Sequence, residues 1–352
     1  MGMLVDEVEV PDRPGVQGLW FRGFRGPEDY AGIAATNQAE RDVAGIGEIV
    51  TATAIANDYA HLTNCDLDRD LLVVERGHAT IGYSRVEWRD LIDGTRQFVS
   101  ICHLQPSERR QGIGRAMLGW GEGRLAAAAA ALPDGSARAG AMQAFVPGTD
   151  AGAIALLEGS GWTRTGHGHE MLRPTLDDIP DVPMPAGLAI RPIGTDQASR
   201  RAVWDALMDA FRDHRGEREA TEEDWLHFVG DSNRDPSLWV VAFDGDEIAG
   251  GVLAKIDPAE NAHHARERGI ADEVFTRRPW RRRGLARALL ARALVRLRDH
   301  GMTSAYLGVD GLNPNQAMTL YRSLGFEISN STIDWSKPLP AWTGVPALPE
   351  SR

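Results

Sequence analysis

Arg281-Arg282-Arg283-Gly284-Leu285-Ala286 opens the run Arg287-Ala-Leu-Leu-Ala-Arg-Ala-Leu-Val-Arg-Leu. The pattern reads as a strand (Glu273 to Thr276), a short turn with Pro279, a glycine-bearing loop and a long amphipathic helix. The first N–H groups of a helix have no intrahelical partner, so such a loop can hold a phosphate. One Gly-x-Ala is weak evidence. The reading is decided by a second copy, Arg109-Arg110-Gln111-Gly112-Ile113-Gly114, in the same strand–loop–helix context.

Working outward from each loop gives the same order of elements twice. In the first half, a strand at Gly18 to Phe24 precedes a helical stretch from Pro27 to about Ala60. Asp70 to Trp88 is a hairpin around a glycine turn, and Arg96 to Leu104 is β-rich. A helix from about Ile113 to Leu132 follows, its alanine run favouring helix over disorder. Ala141 to Val146 is a strand, Ala151 to Glu158 a helix, and Gly161-Trp162 starts a last hairpin. In the second half, Gly187 to Ile193 is a strand, and Gln197 to Phe211 and Glu222 to Val229 are helices, with Thr221 an N-cap. A hairpin closed by Asp-Gly runs from Ser237 to Ala254. After the second loop and helix, Thr303 to Val309 is a strand, Pro314 to Ser323 a helix, and Gly325-Phe326 begins the last β segment. Residues 1–172 are therefore expected to form one domain and 188–336 a second. Residues 173–187, with prolines among acids, form an extended linker, and 337–352 a tail. Gly112 and Gly284 are 172 residues apart, whereas Gly161 and Gly325 are 164 apart. The first half thus holds eight extra residues, placed most simply at Pro133 to Gly140.

The 352 residues carry 38 basic and 50 acidic side chains, a net charge of −12. That balance argues against a general nucleic-acid or anionic-membrane binder. Cys65 and Cys102 imply neither a disulfide framework nor a cysteine zinc site. The start lacks the basic and apolar regions of a signal peptide, and no apolar run approaches a membrane span, so a cytoplasmic protein is expected. His263-His264 and His167-x-His169 lack further ligands at a metal spacing and read as loop and strand surface, so no metal is expected.

Arg-x-x-Gly-x-Gly/Ala after a strand and opening a helix resembles motif A of the GNAT acyltransferases. Asn313-Pro-Asn-Gln-Ala-Met-Thr-Leu-Tyr321-Arg-Ser-Leu-Gly-Phe326 resembles that family's closing segment. Both motifs occur in order behind the hairpin, so the chain is identified as a tandem member, similar in architecture to the double GNAT proteins that include mycothiol synthase. The resemblance implies an α+β chain of two GNAT folds, each a mostly antiparallel sheet with one splayed strand and flanking helices. It implies an N-acetyltransferase moving acetyl from acetyl-CoA to the amine of a small molecule. The pyrophosphate of CoA is then expected on Arg281, Arg282, Arg283, Gly284, Leu285, Ala286 and Arg287, with Asn313 also on the cofactor side. Val274, Phe275 and Thr276 offer strand backbone to the pantetheine arm and thioester, one N–H serving an oxyanion.

The amine must lose a proton before attack, and Asp272 and Glu273 at the strand entry are the nearest candidates. Strand alternation is expected to turn them to opposite faces, so one at most faces the thioester, with Glu273 slightly preferred. Tyr321 occupies the family's general-acid position. The first half departs from the pattern: Leu157 stands at the Tyr321 position, Thr149 at that of Asn313, and Ser100-Ile101 at that of Asp272-Glu273. Its loop at Arg109, Gly112 and Gly114 is intact, so it is a weaker candidate for CoA, and the second half is expected to be the catalyst. The arginines around the second loop are read as serving CoA phosphates rather than nucleic acid. Competing readings are a non-catalytic acyl-CoA sensor and, ranked lower, a protein acetyltransferase. A monomer and a homodimer are equally open.

Overall fold

A computed structural model describes residues 7–133, 140–212, 216–311 and 317–339. The chain divides into two compact units. The first comprises residues up to Gly166 together with those from Thr332 onward, and the second comprises His167–Ser331.

The first unit contains β1 (Leu19–Gly23), α1 (Tyr30–Ala44), α2 (Ala52–Ala60), α3 (Leu67–Asp70), β2 (Leu71–Arg76), β3 (Ala79–Asp90) and β4 (Arg96–Leu104). Next come α4 (Ile113–Ala131), β5 (Gly140–Pro147), α5 (Ala151–Gly159) and the start of β6 (Thr163–Arg173). Strands β1 to β4 pair antiparallel in sequence order, and β5 joins β4 in parallel. The period of two along β2 separates the cores. Leu71 and Val73 pack with Ile33, Ile55 and Tyr59 on the α1–α2 face, while Leu72 and Val74 pack with Ile113 and Met117 of α4. The helical stretch expected from Pro27 to Ala60 is broken, because Gly45 takes a left-handed cap at φ 71° and Thr51 caps a new helix through its side chain.

The second unit contains the rest of β6, then β7 (Ala189–Arg191), α6 (Gln197–Phe211), α7 (Glu222–Gly230), β8 (Trp239–Asp244), β9 (Glu247–Ile256) and α8 (Pro258–His263). It continues with β10 (Arg268–Thr276), α9 (Leu285–Asp299), β11 (Ser304–Asp310), α10 (Ala317–Arg322) and the start of β12 (Glu327–Pro338). Strands β7 to β10 pair antiparallel in sequence order, and β11 lies parallel to β10. Helix α9 buries Leu285, Leu289, Leu294 and Leu297 on one face of this sheet. On the other face, Trp204 of α6 and Trp225 and Phe228 of α7 pack with Trp239 and Phe275. Thr221 forms a capping box with Asp224 that starts α7. His263 and His264 end α8 rather than lying in a loop or strand.

The closing strands differ from the sequence expectation. No hairpin follows Gly161-Trp162. Instead β6 is one continuous strand, and His169–Arg173 pairs antiparallel with Ala305–Val309 of β11 in the second unit. Thr332–Pro338 of β12 pairs antiparallel with Ala141–Pro147 of β5 in the first. Each unit is thus completed by a strand from the other half of the sequence, whereas the division at 172 and 336 keeps each strand with its own half. The fit is decided by packing: Trp335 is 1% exposed in the core around Met142 and Trp162, and Met171 is fully buried beside Leu307. The proline-rich stretch is anchored, since Leu176 and Val182 are buried in the second unit's core and Arg292 donates to the Val182 carbonyl at 2.6 Å. In the expected tail, Lys337 and Pro338 belong to β12 and Leu339 is buried; residues 340–352 and the proposed insertion at 134–139 lie outside the described residues.

Candidate active site

Strand β10 stays paired with β9 to its end, Thr276 opposite Gly250. Its pairing with β11 covers only Arg268–Ile270, against Ser304–Tyr306, while β11 runs on to Asp310 beside β6. Past Ile270 the two parallel strands therefore part. A cleft of about 420 Å³ opens there, lined by Asp272–Thr276 and by Gly308, Val309 and Asp310. Arg277 donates its backbone N–H to Ala249 across the β9 ladder at 3.0 Å. Strand alternation then points the N–H groups of Thr276 and Val274 at the open edge. The Phe275 ring instead enters the aromatic core at 2% exposed, in space that Gly251 leaves free, where an added Cβ would come 2.7 Å from the ring.

The far end of the cleft is the loop before α9, whose Arg281, Arg282, Gly284, Leu285, Ala286 and Arg287 all line it. Arg282 and Gly284 hold φ of 62° and 82°, a left-handed alternation that turns successive N–H groups toward one concavity. Gly284 has no side chain to cap α9, and an added Cβ there would meet nothing within 4 Å. Arg281 is spent on the fold: its Nε donates to the Thr276 carbonyl at 3.0 Å and its Nη2 to that of Ala210 at 2.8 Å. Arg283 reaches the Ala186 carbonyl at 3.2 Å and is not among the lining residues.

The two acids behave differently from the alternation expected for them. Ile270 faces Lys255 and Glu273 faces Leu253, so three steps on β10 answer two on β9, and a bulge lies at Ala271–Asp272. The bulge breaks the period of two, and Asp272 and Glu273 both line the cleft. Asp272 Oδ2 lies 3.2 Å from Arg234 Nη2 and 3.1 Å from Lys255 Nζ, while Glu273 Oε1 lies 3.7 Å from the same Arg234 nitrogen. Burial, then the Asp272 carboxylate, pushes the Glu273 carboxyl up to about 7, against the pull of Arg234 and Lys255. Arg234 and Lys255 carry no motif, and only the fold brings them to the acids.

Tyr321 of α10 also lines the cleft, is 7% exposed, and packs edge-on against Phe326 with ring centroids 6.2 Å apart. Burial first, and the Glu273 charge second, push its phenol up to about 12, so it keeps its proton at neutral pH. Asn313 lies outside the described residues. The structure thus brings Asp272, Glu273, Tyr321 and most of the arginine loop to one cleft of the second unit. Among the described residues no group of three or more His, Cys, Asp or Glu side chains is arranged to hold a metal ion, and no helix is long and apolar enough to cross a membrane.

The first unit repeats the scaffold with different chemistry. Arg110 and Gly112 take φ of 66° and 85°, matching Arg282 and Gly284. Trp162 N–H donates to the Leu157 carbonyl at 3.1 Å, as Phe326 N–H does to Tyr321, so Leu157 does occupy the tyrosine's place. The β3–β4 register is regular from Gly82–Leu104 to Asp90–Arg96, without a bulge at Ser100-Ile101. Glu40 on α1, which no motif marks, accepts from the Leu104 N–H at 3.1 Å and from Arg109 Nη2 at 2.9 Å, with His103 Nδ1 2.6 Å from its other oxygen. Asp150 takes the Arg109 guanidinium at 2.9 Å as well. Pro14 lies against Gly112, 3.3 Å from where a Cβ would stand.

A splayed parallel pair, a left-handed loop at a helix N-terminus and an acid–phenol cleft together define an acyl-CoA acyltransferase fold. The chain belongs to the GNAT acetyltransferase family and is an acyltransferase, moving acetyl from acetyl-CoA to an amine. Residues 201–326 match the Acetyltransferase (GNAT) family. A mycothiol acetyltransferase of Salinispora arenicola is 30% identical over 276 residues, covering 73% of this chain and 77% of the relative. That of Thermobifida fusca is 26% identical over 88% of this chain and 95% of its own length. Among solved structures, a GCN5-related N-acetyltransferase from Sphaerobacter thermophilus shares the fold with a TM-score of 0.69 at 24% identity, covering 94% of this chain and 98% of that one. A tandem GNAT protein from the clavulanic acid biosynthesis pathway shares it with a TM-score of 0.65 at 17% identity, over 91% and 98% of the two chains.

Proposed function

We propose that the protein is an acetyl-CoA-dependent N-acetyltransferase of a small-molecule amine, with the chemistry confined to the second unit. The observation that carries this reading is the convergence of Glu273 and Tyr321 on one cleft that ends at the Arg282–Arg287 loop. The loop N–H groups and Arg282 and Arg287 receive the pyrophosphate, and the open edge at Val274 and Thr276 receives the amide-bearing arm. Glu273 accepts one proton from the acceptor ammonium, and the freed lone pair attacks the thioester carbonyl carbon. Loss of the C–S bond expels the thiolate, which takes the Tyr321 proton. The attacking nitrogen's remaining excess proton restores the phenol. A carboxyl near 7 suits proton acceptance around neutral pH, and a phenol pushed up to about 12 is still protonated when the thiolate leaves, its loss made good by the proton from the attacking nitrogen.

Assignment to the second unit is supported by the contrast with the first. There the strand-edge N–H of Leu104 and the loop arginine Arg109 are already taken by Glu40 and Asp150. The resemblance to mycothiol acetyltransferases makes the unacetylated precursor of mycothiol the first acceptor to try. The test is thiol release from acetyl-CoA with that compound and a panel of other primary amines. Acceptor-dependent release abolished by Glu273→Gln together with Tyr321→Phe is expected. Release that survives the double substitution would place the chemistry elsewhere.

A further inference from the structure

The bulge on β10 sets two carboxylates side by side, an arrangement that repels itself unless a cation is fixed beside it. The cation that touches both is Arg234, in the loop after α7. Its guanidinium lies 4.4 Å over the Phe228 ring, whose other contacts are Trp225 and Trp239 in the aromatic core. Its Nε is 3.5 Å from Asp231, and its Nη2 is 3.2 Å from Asp272 and 3.7 Å from Glu273. Arg234 is 14% exposed at the side chain, and its Nη1 has no hydrogen-bond partner among the described residues. Lys255 contributes to Asp272 and Asp231, at 3.1 and 3.8 Å. Two cations therefore serve Asp272, while among the described residues the ion-pair contact of Glu273 is the longer one to Arg234.

We infer that Arg234 is a positioning residue: stacked on Phe228 and tied to Asp231, it anchors Asp272 and leaves Glu273 as the carboxylate free to receive a proton in the cleft. The inference rests on the reading of Glu273 as proton acceptor. The groups around Glu273 are Asp272 on its own strand, Arg234 and Asp231 from the loop, Lys255 on β9, Glu217 ahead of α7 and Tyr321 on α10. Removing the Arg234 charge leaves acids in excess, so Glu273 holds its proton to higher pH. Replacement by an unbranched apolar side chain of similar length, methionine, keeps a sulfur–aromatic contact on Phe228 and removes the charge.

The test is a carboxyl-carbon NMR titration of the full chain labelled at glutamate, with the Glu273 signal assigned by its loss in Glu273→Gln. In Arg234→Met the Glu273 midpoint is expected to rise by about one pH unit or more, the size of shift an adjacent cation produces. Arg234→Lys, which keeps a cation, should restore most of the original midpoint, and Arg234→Gln serves if the Met variant does not fold. The acid limb of kcat/KM for acetyl transfer should move up in pH with the midpoint. An unmoved midpoint in the charge-neutral variants, or equal shifts in Met and Lys, would overturn the inference. A Glu273→Gln enzyme with full turnover would instead overturn the role of Glu273 and leave the titration result standing.

Discussion

Glu273 is held near 7 by burial and by Asp272, which sets the sign of its pH effects. Its folded-state value lies above the ordinary 4.5, so the neutral form is favoured in the fold. The associated stability is present below that ordinary value and is lost as pH rises through about 7. Activity runs the other way, because a proton acceptor must be ionised. kcat/KM should rise with pH through about 7, and Glu273→Gln should flatten that limb while making the melting temperature less dependent on pH between 4.5 and 7. Tyr321→Phe removes the proton given to the thiolate. It should lower kcat by about 100-fold, the lower end of what general acids contribute, with little change in KM for acetyl-CoA. Retained kcat would reduce Tyr321 to a packing residue against Phe326.

At the scale of elements, the loop before α9 and its copy before α4 share a backbone but not a surrounding. Valine at Gly284 or Gly112 would place a β-branched residue at φ 82° or 85° and should destabilise either unit by about 1–2 kcal/mol. Only Gly284→Val should also weaken CoA binding, by tenfold or more in a titration. Equal loss of affinity from Gly112→Val would show that both loops bind. The two loops, their helices and the β2–β3 and β8–β9 hairpins were readable in the sequence because glycine spacing and apolar periodicity are local signals, whereas the hairpin expected after Gly161-Trp162 was not there. Tyr321, which lines the cleft, was singled out through the segment ending at Gly325-Phe326 that resembles the family's closing motif. The direction of Asp272 was not readable, because a bulge depends on the partner strand and leaves no mark on β10 alone. Arg234 and Lys255 lie 38 and 17 residues from the Asp272 they both meet, and Glu40 lies 69 residues from Arg109. Nothing in their own neighbourhoods announces the meeting.

For the whole molecule, two loops of one conformation do not imply two cofactor sites. Equilibrium titration with CoA should give one mole bound per chain, and Ala286→Glu, placing a carboxylate at the proposed phosphate site, should remove it. Two moles per chain, or one mole retained in Ala286→Glu, would show that Glu40 and Asp150 do not keep the first loop to themselves.

The exchange of closing strands reaches back to synthesis. The first unit lacks the strand beside β5 until Thr332–Pro338 has been made, although its other strands are finished by Gly166. At roughly 5–20 residues per second, that interval lasts on the order of 10–30 s on the ribosome. During it, β5 presents an unpaired edge carrying the apolar face of Met142 and Ala144, a template that any neighbouring nascent chain can extend. The N-terminal unit begins first and is sealed last, so its exposure during translation is set by the length of the unit that follows it.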